Sequence, residues 1–154
     1  MIIIGIDPGL AKTGFGVIDG VRCIKYGMIV TSPDVPVQMR LRTIFREICA
    51  VLDAHKPREL AIEQLFFSRN VSSAIDVSHA RGVVLLAASE RDLDVFEYTP
   101  NKVKQAVTGS GRADKKQVQK MVRAMFGINE AMPVDAADAV AVALCHANMR
   151  LPQN

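Results

Sequence analysis

Two short apolar runs in this chain each end on an acid: Ile2-Ile3-Ile4-Gly5-Ile6 leads into Asp7-Pro8-Gly9, and Leu60-Ala61-Ile62 leads into Glu63. A continuous β-branched run reads as a strand buried on both faces, and a Pro-Gly pair stops it sharply. A carboxylate at the end of such a strand is costly to bury unless a cation or hydrogen bonds compensate it. A third acidic motif, Asp135-Ala136-Ala137-Asp138-Ala139, sets two carboxylates three residues apart, where both project from one face of a helix. The chain is thus constrained to a fold in which two buried strands and a late helix can bring four acids to one place.

Each acid also has an ordinary explanation. Asp7 before Pro8-Gly9 suits a turn, Asp135 suits a helix N-cap with Asp138 at the N3 position, and Glu63 could pair with a buried arginine. For any one acid alone the ordinary explanation is the commoner one; together they point elsewhere, because a cap does not need its i+3 acid and a turn does not need its acid on a core strand. All four are hard oxygen donors with no Cys or His among them, which favours Mg²⁺, with Mn²⁺ as a substitute, over zinc. A pair of such ions, roughly 3.5–4 Å apart, suits phosphodiester hydrolysis.

The order of elements is consistent with that site. After the first strand, Gly14 to Ile18 reads as a second strand, Asp19-Gly20 as a hairpin turn and Cys23 to Val30 as a third strand. Val37, Leu41, Ile44, Phe45, Ile48, Cys49 and Leu52 then recur at helical spacing up to Lys56-Pro57. Leu60 to Gln64 is a short strand, Ser72 to Ser89 a small-residue helix and Val95 to Tyr98 a fifth strand; Pro100 opens a helical region and Asp135 to Met149 a final helix. Three strands, helix, strand, helix, strand, helices is the order of the α/β ribonuclease H-like fold, a five-stranded mixed sheet with helices on both faces.

With 154 residues, 49% of them hydrophobic, the chain can close one substantial core, so a single domain over 1–154 is expected. Its net charge of +3 is unevenly spread: Asn101 to Ala124 holds seven basic residues and one acid, +6 against −3 for the remainder. Lys102, Lys104, Arg112, Lys115, Lys116, Lys120 and Arg123 form the kind of cluster that neutralises a phosphate backbone, although a charge run taken alone is most often a solvated face. Cys23, Cys49 and Cys145 are odd in number and widely spaced, which points to a reducing compartment rather than a disulfide framework. His55, His79 and His146 are scattered and read as surface or packing residues rather than ligands; His146 lies two helical turns beyond Asp138. There is no basic leader before Asp7, and no apolar run approaches the roughly 20 residues that span a membrane, so a cytoplasmic protein without membrane contact is expected.

Gly5-Ile6-Asp7-Pro8-Gly9, Ala61-Ile62-Glu63-Gln64 with Phe66 close behind, Ala80-Arg81-Gly82, Val103-Lys104-Gln105 and Asp135-Ala136-Ala137-Asp138-Ala139 together resemble the RuvC family of Holliday-junction resolvases over nearly the whole chain. The resemblance implies a structure-selective endonuclease that resolves four-way DNA junctions in recombination and repair by paired symmetric nicks, using two Mg²⁺ ions per active site. It assigns Asp7, Glu63, Asp135 and Asp138 to catalysis and metal binding, Lys104 and Lys115 to the surroundings of the scissile phosphate, and Phe66 to base stacking at the junction centre. It further implies a homodimer, for which the 72–89 helix is the expected interface, and work alongside the RuvA-RuvB branch-migration complex. Lys116 is added from the basic segment itself, as a residue steering the DNA backbone.

Three other readings fit parts of the chain. An actin-like ATPase also opens with an acidic glycine-rich hairpin but needs two related domains; a DNA-binding module would use the basic segment and carry its acids as caps; a ribonuclease H would cut RNA–DNA hybrids. ATP binding, metal-dependent cleavage and substrate choice, respectively, discriminate them.

Overall fold

The computed structural model describes residues 1–65 and 71–150; Phe66, the expected stacking residue, lies outside that range. Five strands, β1 (Ile2–Asp7), β2 (Lys12–Asp19), β3 (Arg22–Val30), β4 (Glu59–Glu63) and β5 (Asp94–Tyr98), form one sheet in the order β3-β2-β1-β4-β5. β1 lies at the centre, antiparallel to β2 and parallel to β4, so the strands ending in Asp7 and Glu63 are neighbours running the same way. This is the arrangement of a ribonuclease H-like sheet.

Alternation along the strands splits the core in two. Ile4, Ile6, Leu60 and Ile62 face α1 (Val37–His55) and α2 (Val71–Ser89). Ile3, Ile18 and Ala61 face α3 (Pro100–Thr108), α4 (Lys115–Phe126) and α5 (Val134–Arg150). α1 buries the stripe Ile44, Ile48 and Leu52 and stops where Lys56 turns left-handed (φ 46) ahead of Pro57.

The basic region is two helices separated by a turn, and α4 starts at a capping box: Gln117 N–H donates to Asp114 Oδ1 at 2.8 Å while Asp114 N–H donates to Gln117 Oε1 at 2.9 Å. Two features differ from the sequence expectations. Arg123 from that region is spent on the chain that follows, donating to the carbonyls of Ile128 and Asn129. In addition, α2 is long and apolar enough, by length and composition, to cross a membrane, which no run in the sequence was expected to be. Its apolarity comes from small residues, and it packs on α1, burying Ala74, Ala80, Val84, Ala87 and Ala88.

α5 lies against the sheet with almost no side chain between. A Cβ placed on Gly14 would stand 1.9 Å from the Asp135 carbonyl oxygen, and one on Gly5 2.0 Å from that of Ala139. Gly16 meets Val140 in the same way, at 2.4 Å from its Cγ2. The alanines of α5 complete the fit: Ala136, Ala137, Ala139, Ala141 and Ala143 are fully buried. This close seating carries Asp135 and Asp138 over the end of β1.

Candidate metal centre

Asp7 is the last residue of β1, and the turn after it is held by Thr13, fully buried, whose hydroxyl donates to the Gly9 carbonyl at 2.6 Å and accepts from the Gly9 N–H at 3.3 Å. Gly9 is required there, since a Cβ would lie 2.4 Å from the Lys12 carbonyl oxygen. Glu63 is the last residue of β4. Its backbone carbonyl accepts from Arg81 Nη1 at 2.8 Å, and Arg81 Nη2 pairs with Glu97 at 2.5 Å. The arginine expected as a possible partner for Glu63 therefore holds the strand end and leaves the carboxylate to the site.

Asp135 and Asp138 come from the first turns of α5. The helix opens at Val134, with the Ala137 N–H donating to the Pro133 carbonyl, so Asp135 lies inside the helix rather than capping it. Asp138 pairs with Lys115 Nζ at 3.3 Å, and Lys115 is the first residue of α4, placed there by the capping box. Lys104 of α3 lines a pocket of about 70 Å³ with Glu63, Lys115 and Asp138. Lys116 is exposed and does not line it.

The charges of these acids act on one another. Burial, then the charges of Asp138, Asp135 and Glu63, push the Asp7 carboxyl from an ordinary 3.8 up to about 7, with Lys115 opposing. Burial likewise raises Glu63, helped by Asp138 and opposed by Lys115 and Lys104. Asp138 is raised by burial against the pull of Lys115, and Lys115 is raised chiefly by Asp138. The side chains do not themselves close into a ligand cage: among the described residues no three Asp, Glu, His or Cys groups stand in metal-holding geometry, and Asp138 is turned to Lys115. The donor set nonetheless fits a hard divalent cation, being four partly buried carboxylates on three rigid elements whose mutual repulsion a cation relieves.

The raised acids have a consequence for stability. Because Asp7 binds its proton more tightly when folded, its contribution favours the fold fully below about pH 3.8 and is lost as pH rises through about 7. In metal chelator, Asp7→Asn should therefore melt above the wild type, by a margin that widens between about pH 5 and pH 8. Thermal melts across that range check it; a constant margin would mean that Asp7 titrates as an ordinary exposed acid.

Sequence reasoning passed over several residues that build this site. Thr13 and the helix cap Asp114 were legible as local motifs; Arg81 appeared only within a family motif, because its partners, Glu63 and Glu97, are distant in sequence.

Residues 3–146 match the family described as "Crossover junction endodeoxyribonuclease RuvC". A protein of that description from Caldicellulosiruptor saccharolyticus is 46% identical over 152 residues, covering 95% of this chain and 92% of the relative. Another, from Desulfitobacterium hafniense, is 50% identical over 153 residues, covering 96% and 93%. Among solved structures, Thermus thermophilus RuvC in complex with a Holliday junction substrate superposes with a TM-score of 0.89 at 39% identity, covering 96% of this chain and 93% of that one.

Proposed function

The chain belongs to the RuvC family of crossover junction endodeoxyribonucleases, and we propose that within this activity Asp7, Glu63, Asp135 and Asp138 hold the catalytic metal and Lys104 and Lys115 attend the phosphate being cut. It is a nuclease that resolves four-way DNA junctions, and its catalysis depends on a divalent metal. The observation that carries the residue assignment is that neighbouring parallel strands end on Asp7 and Glu63 while α5, seated closely on the sheet, brings Asp135 and Asp138 to the same end beside Lys115. Mg²⁺, two ions per site, is the proposed cofactor, with Mn²⁺ able to replace it. Bound there, such ions lower the pKa of an attacking water and neutralise the leaving oxygen.

The chain's own residues do the rest. Asp7 and Glu63, on adjacent parallel strands, fix one side of the site against the sheet, while α5 brings Asp135 and Asp138 from above. Lys115 balances the acids so that a phosphodiester can approach a cluster that would otherwise repel it. Lys104, half-buried on the Glu63 side, is placed to meet charge developing on the phosphate.

The reading extends to a homodimer, whose two-fold axis matches paired strands of a junction. α2 supports it: Val71, Ile75 and Leu86 are 65%, 51% and 54% exposed along one row of the helix, and the space above Gly82 on that row is open. Leu86→Lys should give a monomer by sedimentation, with a melting temperature close to that of the wild type; an unchanged dimer would move the interface elsewhere. The proposal also places one nuclease domain over 1–154, acting in the cytoplasm with the RuvA-RuvB branch-migration complex. Phe66 remains its proposed base-stacking residue.

The direct test is a synthetic four-way junction incubated with and without Mg²⁺, beside an RNA–DNA hybrid. Paired symmetric nicks in the junction alone are expected; preferential cutting of the hybrid would favour a ribonuclease H. The lysines separate binding from chemistry. Lys116→Ala should make the slope of log K against log salt shallower by about 0.9 and leave the single-turnover rate unchanged. Lys104→Ala should slow cleavage about tenfold at saturating protein, less than the 10²–10³ seen when a fully enclosed donor is lost. If the salt slope and the rate stay at wild-type values in both variants, the basic segment is only a solvated face.

A further inference from the structure

About two helical turns from the acids, the α5 face of the sheet buries a polar group that the nuclease site does not use. His146 is fully buried and Glu59 is 6% exposed. His146 Nε2 lies 2.6 Å from Glu59 Oε2; a carboxylate can only accept, so Nε2–H donates. Nδ1 shares a hydrogen with the Tyr98 hydroxyl at 2.6 Å, the ring stacks on Phe96 at 4.4 Å, and Arg150 pairs with the other Glu59 oxygen. A buried ionisable pair is a weak source of stability compared with apolar residues of the same volume, but a strong constraint on geometry.

The placement of this group matters more than its strength. Glu59 and Glu63 are the two ends of β4 and point to the same face, about 13 Å apart at strand rise. Asp138, Val142, His146 and Arg150 follow one another at i+4 along α5, and Asp138 and His146 are about 12 Å apart at helix rise. The strand and the helix are therefore two rods with matched intervals, tied at one end by Glu59–His146 and meeting at the other as Glu63 and Asp138, whose charges are coupled. The glycine seats hold α5 closely to β1 and β2, whereas towards β4 the helix meets the small side chain of Ala61, and Glu59–His146 is the polar tie at the far end of that strand.

We propose that Glu59 and His146 are positioning residues that fix how α5 lies over β4, beyond its glycine seats on β1 and β2, and thereby the separation of Asp138 from Glu63. This rests on the assignment of those acids as metal ligands. A small swing of α5 about those seats would leave the fold and the DNA surface in place while widening the gap between Asp138 and Glu63, and a functional constellation must be held to within about 0.5 Å.

The test compares His146→Leu, Glu59→Leu and Glu59→Gln with the wild type in three measurements: junction affinity in chelator, the Mg²⁺ concentration giving half-maximal single-turnover cleavage, and the rise in melting temperature on adding Mg²⁺ to protein without DNA. The leucine variants should bind the junction as the wild type does, need at least tenfold more Mg²⁺, and lose most of the Mg²⁺-induced rise. Glu59→Gln keeps an acceptor for Nε2–H and should stay within about threefold of the wild type. Leucine variants that melt lower yet keep the wild-type Mg²⁺ midpoint would overturn the proposal and leave the pair a purely structural contact. Should both leucine variants fail to fold, Tyr98→Phe removes only the hydroxyl on Nδ1. A threefold shift in its midpoint would support the proposal, and none would overturn it. A wild type that fails to cut the junction with Mg²⁺ would instead count against the assignment of function.

Discussion

Asp7→Asn should bind a four-way junction at least as tightly as the wild type and cut it on the order of 10³-fold more slowly, because a direct ligand must matter more than the 10–100-fold typical of an outer partner. The two effects have one origin. Asp7 is the most strongly perturbed acid of the cluster, pushed up to about 7 by burial and by three other carboxylates. Replacing it with an isosteric amide removes a charge that repels phosphate, which strengthens binding, and removes a donor that a divalent ion needs, which stops the chemistry. Asp138→Asn should act in the same direction and also release Lys115 from its pairing at 3.3 Å. Gel-shift and single-turnover assays on one preparation decide the point. Cleavage by Asp7→Asn within tenfold of the wild-type rate would remove Asp7 from the site.

A single methyl group at Gly14 should be as damaging as the loss of an acid, by another route. The added Cβ would stand 1.9 Å from the Asp135 carbonyl oxygen and 2.3 Å from its carbonyl carbon, and backbone cannot swing aside as a side chain can. Overpacking of this kind costs typically about 1–3 kcal/mol and occasionally more; with rigid backbone on both sides the upper end or beyond is expected. What relaxation does occur must lift α5 from β2, and Asp135 and Asp138 with it. Gly14→Ala should therefore lower the melting temperature and, at temperatures where it remains folded, show a weakened response to Mg²⁺. Gly20→Ala is a useful contrast, since nothing lies within 4 Å of that position and only its positive φ of 58 is at stake. If Gly14→Ala were as mild as Gly20→Ala, the tight seating of α5 would not be what places the acids.

Much of this was legible in the chain before the structure. The buried runs ending at Asp7 and Glu63 are strands because short continuous apolar sequence bounded by polar or turn residues has few alternatives, and α1 announced itself through the i, i+3, i+7, i+11 spacing of Leu41, Ile44, Ile48 and Leu52. The i+3 pair in α5 was visible for the same reason. Tertiary partnerships were not. Glu59, standing just before Leu60, has the appearance of a solvent-facing strand entry, and its burial depends on a histidine 87 residues later. The close packing at Gly5, Gly14 and Gly16 is likewise a property of what lies above the sheet, and a glycine in a strand shows only that something approaches, not what.

The distribution of the four acids along the chain also bears on when a nuclease can exist at all. Asp7 and Glu63 sit on neighbouring strands from the first half of the chain, yet the helix carrying Asp135 and Asp138 follows every other element described. Chains are synthesised from the N-terminus at about 5–20 residues per second, so for several seconds the growing polypeptide holds only half of these acids. On the proposed assignment, cutting power would arrive only when α5 docks across β1 and β2, closing contacts between residues some 130 positions apart, the kind of long-range contact that slows folding. With those four acids as the metal ligands, a partly made or partly folded molecule would be silent towards DNA phosphodiesters, a safeguard set by the order of the elements.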